Sequence, residues 1–222
     1  MLYIVSTPIG HLKDITLRAI ETLKAVDLIA AEDTRHTKIL CKEYGIDTPL
    51  TSYFEHNKFK KAHAILQELK LGKQVALVTD AGTPGISDPG YKLINLAKEN
   101  DIPLTVIPGA SAVIAALSLS GYLSDIYVFE VFLHVNKTQR RKKLDYIKQE
   151  KRTIIFYESP HRLIKSLSDI TDILDDPYLF IARELTKKFE EGLEQRASKL
   201  TEHFQKTKPK GEFVLLLNLS RF

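Results

Sequence analysis

Glu32, Asp33, Arg35 and His36 crowd four ionisable side chains into five consecutive positions. Such a concentration is costly to hold unless the groups pair with one another or act on a proton or an anion. A second concentration of unusual residues lies in Asp80-Ala81-Gly82-Thr83-Pro84-Gly85-Ile86-Ser87-Asp88-Pro89-Gly90, which packs three glycines, two prolines and two aspartates into eleven residues. That composition bends the backbone repeatedly and leaves peptide groups bare where a ligand can approach. Two shorter segments have the same character. Ser6-Thr7-Pro8-Ile9-Gly10 and Pro108-Gly109-Ala110-Ser111-Ala112 each turn sharply after an apolar run, and the second opens a helix whose first amides suit a carboxylate or phosphate. Each feature alone has a bland reading as a salt-bridge network, an elaborate turn or a helix cap. Their recurrence at the same structural place is what points to a site.

Other chemistries lose ground on pattern. The glycines do not form the G-x-G-x-x-G dinucleotide fingerprint, and no glycine precedes a Lys followed by Ser or Thr, as a phosphate-binding Walker loop requires. None of the seven histidines has H-E-x-x-H or comparable ligand spacing, and Cys41 is the only cysteine, so no metal site and no disulfide framework are expected. The net charge of +4 tolerates a nucleic-acid partner without demanding one. The basic stretch Lys137, Arg140, Arg141, Lys142 and Lys143, and Lys206, Lys208 and Lys210 nearer the end, are candidates for phosphate contact or plain solvated surface. No apolar run reaches membrane-spanning length and the amino terminus lacks a signal-peptide pattern, which sets a cytoplasmic protein as the expectation.

The elements that must position these loops read as alternating strands and helices. Leu2–Ser6, Val26–Ala30, Gln74–Thr79 and Leu104–Ile107 are expected strands. Thr16–Lys24, and a segment carrying Ala62, Ile65, Leu66 and Leu69 before a stop at Gly72, are expected helices. In the second half, strands are expected over Ile126–Phe132, Thr153–Tyr157, Tyr178–Ile181 and Phe213–Leu219, with helices around Thr138–Gln149, Pro160–Leu174 and Leu200–Lys206. The fold class is α/β, with a largely parallel first sheet. An apolar, small-residue helix near Ala112–Gly121 suggests two domains, 1–115 and 116–222, with a cleft between them. In open parallel sheets, ligands bind outside the carboxyl ends of the strands, where all four loops fall.

At these loops the chain resembles the tetrapyrrole-methylase superfamily, and within it the cytidine 2′-O-methyltransferases of small-subunit ribosomal RNA. The strings that carry the resemblance are Thr7–Gly10, Ala31–Thr37, Asp80–Gly90, Phe156-Tyr157-Glu158-Ser159-Pro160-His161-Arg162, Ala182-Arg183-Glu184-Leu185-Thr186-Lys187 and Lys210–Phe213. It implies two α/β domains of the tetrapyrrole-methylase type with the cofactor, S-adenosylmethionine, in the cleft between them. It also implies a homodimer, no membrane, and the 30S particle as partner, through a cytidine ribose near the decoding centre. Carried over position by position, it puts Pro8, Ala81, Gly82, Thr83, Ile86, Ser111 and Ala112 against the cofactor, with Glu158 and Leu185 as second-half contacts. Glu184, Glu32 or Asp33 would draw the proton from the ribose hydroxyl, with Arg35 and Lys187 orienting phosphate or ribose. Two departures stand out. Val131-Phe132-Leu133-His134 replaces a usual Gly-Phe-Leu-Pro, and the chain stops at Phe222 where relatives continue, which implies a weaker grip on RNA or reliance on the dimer. Methylation of a tetrapyrrole carbon, or a non-catalytic ribosome-assembly role, are the competing expectations.

Overall fold

Thr16 starts the first helix because its hydroxyl accepts from the amide of Ala19, and the helix that follows buries Ala19 and Leu23 every fourth position. In the computed structural model, which describes residues 1–220, the chain divides into two compact units, Met1–Ser111 and Ala112–Phe222.

Unit 1 contains β1 (Leu2–Val5), α1 (Leu17–Ala25), β2 (Leu28–Ala31), α2 (Thr34–Tyr44), β3 (Leu50–Ser52), α3 (Lys58–Lys70), β4 (Val75–Val78), α4 (Tyr91–Glu99) and β5 (Leu104–Ile107). The five strands form one sheet in the order β3-β2-β4-β1-β5, and every pairing is parallel. Side chains alternate across the sheet. Ala76 and Val78 enter one core with Leu23 of α1 and Leu40 of α2, whereas Val75 and Leu77 enter the other with Ile65 of α3 and Leu93 of α4. Burial on both faces explains why β4 reads as an unbroken apolar run. The parallel order also brings the carboxyl ends of β2, β4, β1 and β5 into one row.

Unit 2 contains α5 (Ala112–Ser120), β6 (Tyr127–Phe132), α6 (Lys137–Ile147), β7 (Thr153–Glu158), α7 (Leu163–Ile173), β8 (Tyr178–Arg183), β9 (Glu191–Arg196), α8 (Ala197–Lys206) and β10 (Phe213–Leu217). Its sheet runs β6-β7-β10-β8-β9, parallel at β6–β7 and antiparallel elsewhere. Its main core gathers Leu144, Ile154, Phe156, Leu167, Ile181, Leu200, Phe204 and Leu215.

The expected strands and helices all occur, with ends displaced by a few residues. Four elements escape the periodicity reading. β3 is only three residues long, and β9, Glu-Gly-Leu-Glu-Gln-Arg, is polar and mostly exposed because it lies at a sheet edge. α4 follows the glycine-rich loop directly, and α2 begins at Thr34, so the segment read as a loop is the first turn of a helix capped by Asp33. The structure also shows what the Val131 departure costs. The β6–β7 register shifts between Phe129 and Phe132, and Val131 holds φ = 59°. That left-handed conformation suits glycine and strains a β-branched residue.

Candidate functional site

The four loops of unit 1 meet at the carboxyl edge of the sheet. Thr7 and Gly82 exchange backbone hydrogen bonds, Thr7 N to Gly82 O at 2.9 Å and Gly82 N to Thr7 O at 3.1 Å, which stitches the β1 loop to the β4 loop. The Thr7 hydroxyl donates to Thr79 O at 3.0 Å, and Ser6 Oγ lies 2.8 Å from Thr83 Oγ1. The β5 loop closes on the same point. A Cβ on Gly109 would come within 2.9 Å of Ser6 Cβ, and the Ala110 carbonyl lies 3.8 Å from where a Cβ of Gly82 would be. The β2 loop is tied in by Asp33 N, which donates to Asp80 Oδ1 at 3.0 Å, and by Glu32 Oε2, which accepts from Thr79 Oγ1 at 2.6 Å. A rigid cradle results, lined by peptide groups and small side chains.

Of the residues expected at a cofactor, Pro8, Ala81, Gly82, Thr83 and Ser111 belong to these loops. Ile86, half exposed at 50 %, is an apolar side chain held out at the loop's crest after the Ile86 N to Thr83 O turn. Ala112 is the first residue of α5, in the second unit.

The acidic groups differ sharply in basicity. The Arg35 guanidinium, bound to Asp33 through both carboxylate oxygens, holds Asp33 down to about 2. Asp33 also caps α2 by accepting from Arg35 N at 2.8 Å. A group so acidic and so engaged is a poor proton acceptor at neutral pH, which argues against Asp33 as base and leaves Arg35 its partner. Burial pushes Asp80 up against the hydrogen bond from Asp33 N. Asp88 is pushed up to about 6 by burial and then by the charges of Glu32 and Asp80, with a Thr79 hydrogen bond opposing. By composition Asp88 is one more turn residue of the glycine-rich loop. Only its approach to Glu32 and Asp80 in space distinguishes it. Cys41 is buried on α2, where burial raises its thiol. Among the described residues, no group of three or more His, Cys, Asp or Glu is arranged to hold a metal ion, and no helix is long and apolar enough to cross a membrane.

Unit 2 distributes its expected residues over two places. Glu158 ends β7 with its side chain 1 % exposed. Its carboxylate accepts from Ser159 N at 2.7 Å and from the Ser166 hydroxyl, and pairs with Arg162 at 2.9 Å. All of this anchors the strand to α7. Glu184 and Lys187 pair at 2.9 Å in the β8–β9 loop, and Lys187 reaches Glu212 at 2.9 Å. Burial pushes Glu184 up, but Lys187 and the Glu212 amide outweigh it, leaving the carboxyl below its ordinary value. For Lys187, burial is likewise overridden by Glu212 and Glu184, and its ammonium is held more firmly. Leu185 between them is buried at 8 % exposure. Glu184 and Thr186 both adopt positive φ, 50° and 64°. The loop therefore stores strain within an ion-paired frame.

The basic stretch of α6 is largely taken up inside the unit. Arg140 is buried and pairs with Asp169 at 2.6 Å, Arg141 pairs with Asp169 and Asp172, and Lys143 pairs with Glu130. Those three cations are paired within the unit, whereas Lys137 and Lys142 are exposed. Lys206, Lys208 and Lys210 remain exposed.

Residues 1–201 match the tetrapyrrole (corrin/porphyrin) methylase family. The chain is 48 % identical over 218 residues to the ribosomal RNA small subunit methyltransferase I of Synechocystis, covering 98 % of this chain and 78 % of that protein. It is 47 % identical over 217 residues to the protein of the same name from Thermotoga maritima, covering 98 % and 97 %. Among solved structures, it superposes on a diphthine synthase with TM-score 0.76 at 14 % identity, over 98 % of this chain and 88 % of that one. A uroporphyrin-III C-methyltransferase from Thermus thermophilus complexed with S-adenosylhomocysteine gives 0.67 at 16 %, over 99 % and 98 %. At such identities the structural likeness speaks to fold alone.

Proposed function

The chain belongs to the tetrapyrrole (corrin/porphyrin) methylase family, and from that premise we propose that it transfers a methyl group from S-adenosylmethionine to a cytidine ribose 2′-hydroxyl of small-subunit ribosomal RNA. The observation that carries this reading is the convergence of four loops at the carboxyl edge of the parallel sheet, stitched through Thr7–Gly82, Ser6–Thr83 and Asp33–Asp80. That cradle suits the cofactor. It offers peptide donors and acceptors for an amino-acid moiety and the exposed Ile86 for an adenosine face. Pro8, Ala81, Gly82, Thr83, Ile86 and Ser111 are the residues that would hold it. When bound, S-adenosylmethionine supplies an electrophilic methyl carbon on a sulfonium.

The rest of the work falls to the chain. Its loops would hold the acceptor hydroxyl close to the bound cofactor, and positioning of that kind supplies most of the acceleration of such a displacement. A ribose hydroxyl attacks well only as its proton leaves. Asp88, whose environment raises it to about 6, combines an ionised fraction at neutral pH with more basicity than an ordinary carboxylate. Glu32, hydrogen-bonded to Thr79, contributes the charge that raises Asp88. Glu184 and Lys187 position the β8–β9 loop, since both are already committed to one another and to Glu212. The reading carries with it the 30S particle as substrate, a homodimer as the working form and the cytoplasm as the compartment.

The test is incorporation of labelled methyl groups into 30S particles, with the modified ribose mapped, beside uroporphyrinogen as competing acceptor. Labelled 30S and unlabelled uroporphyrinogen are expected, and the reverse would transfer the chain to carbon methylation. Calorimetry that detects no S-adenosylmethionine binding would instead favour a non-catalytic role. Asp88→Asn is expected to lower kcat about 100-fold or more while cofactor affinity is kept. An unchanged rate removes Asp88 as base.

A further inference from the structure

With Arg140, Arg141 and Lys143 of α6 paired internally, a surface of unit 1 combines exposed aromatic rings with cations. Phe59 on the first turn of α3 is 64 % exposed and Tyr91 at the start of α4 is 75 % exposed. Lys58 and Lys92 reach over the Phe59 ring, 5.6 Å and 5.9 Å from its centroid, so the two helix starts share one patch. Phe54 extends it along the β3–α3 loop, edge-on to His56 at 6.3 Å.

The patch is firmly based. Tyr53, buried beneath it, accepts from Leu93 N at 3.2 Å and locks the β3–α3 loop to α4. Asn57 Oδ1 accepts from Phe54 N at 2.8 Å, which fixes the loop's own turn. The surface also borders the glycine-rich cradle, because Tyr91 N lies 3.8 Å from where a Cβ of Gly85 would stand. Its charges are Lys58, Lys60, Lys61 and Lys92 against Glu55. Lys58 pairs with Glu55 and Lys61 donates to Thr51, whereas Lys60 is exposed and Lys92 lies over the ring.

We propose that this surface, Phe54, Phe59 and Tyr91 with Lys60 and Lys92, is where single-stranded RNA docks, its bases stacked on the rings and its phosphates on the ammonium groups. The proposal rests on the RNA-methylating reading and adds the surface that would receive the strand. Exposed aromatic rings interleaved with lysines are what a single strand needs, since every base has a face to stack and every linkage a charge to neutralise. A duplex hides its base faces and has no use for the rings. A second copy of the chain in a two-fold contact would set these lysines against themselves, which charge repulsion opposes.

The test uses the full-length protein and fluorescein-labelled oligocytidylate, with a duplex of equal length, in anisotropy titrations over a series of salt concentrations. Phe59→Ala and Tyr91→Ala are each expected to weaken single-strand binding roughly 5- to 150-fold and to leave duplex binding alone. The double variant Lys60→Gln/Lys92→Gln is expected to flatten the slope of log affinity against log salt by about 1.4. S-adenosylmethionine affinity by calorimetry should be unchanged in all three, which also reports that they fold. Wild-type affinity in both aromatic variants overturns the proposal. So does absence of oligocytidylate binding by the unaltered protein, or conversion of a dimer to a monomer by Phe59→Ala in sedimentation, which would make the patch a contact between copies. If 30S methylation fails while Phe59→Ala still weakens oligocytidylate binding, the functional reading falls and the docking surface stands.

Discussion

Val131 offers a test of backbone conformation in which the ordinary ranking of substitutions should invert. It sits at φ = 59° in the β6–β7 register shift and is partly buried. Comparing Val131→Gly with Val131→Ala removes the packing of the valine from the question, because both lose the branched methyl groups. In a regular strand, alanine would be the more stable of the two by roughly 0.5–1 kcal/mol, since glycine has more freedom to lose. Here alanine keeps a Cβ in the left-handed region, at a cost of about 1–2 kcal/mol. Glycine avoids that cost but forfeits roughly 0.4–1 kcal/mol through its freer unfolded chain. The difference leaves Val131→Gly ahead by about 1 kcal/mol, or roughly 2–4 °C in Tm for a chain of this size. Thermal unfolding of both variants, followed by circular dichroism with matched urea midpoints, measures it. An alanine variant as stable as the glycine variant, or more so, would refute the conformational argument.

Other perturbations follow from particular contacts. Gly211 has φ = 91°, and a Cβ there would come within 2.5 Å of the Glu184 side chain, so Gly211→Ala should destabilise by about 2 kcal/mol and displace the Glu184–Lys187 pair. Urea unfolding that matches the unaltered protein would contradict this. Arg140→Ala should cost about 3 kcal/mol, the low end for a broken buried pair, because Arg141 still contacts Asp169. Arg140→Met, which fills the same space, should cost as much if the uncompensated Asp169 charge is the cause, and clearly less if packing is. Asp88 is raised above its unfolded value, so the folded state binds that proton more tightly and loses stability as pH rises from about 4 through about 6. Asp88→Asn should therefore gain about 1 kcal/mol at pH 8, once screening at this part-exposed site is allowed for, and nothing at pH 4. Equal effects at both pH values would contradict the shift.

The sequence by itself determined the α/β class, the strands that carry the core and the family, because these depend on local periodicity and on contiguous strings such as Asp80–Gly90. It also put the β1, β2, β4 and β5 loops at strand ends. The strand order that lines those ends up side by side was not legible, since pairings such as Thr7 with Gly82 or Asp33 with Asp80 join residues far apart in the chain. For the same reason charge alone did not decide. By charge Arg140 and Arg141 are candidates for phosphate contact or plain solvated surface, and Asp169, on another helix, pairs with both. Asp88 looked like a turn former until burial beside Glu32 and Asp80 set it apart, and Lys92 joined Phe59 only when α4 was laid beside α3. What a residue is was written in the chain. What its charge costs, and which partner neutralises it, depended on distances that only the tertiary structure decided.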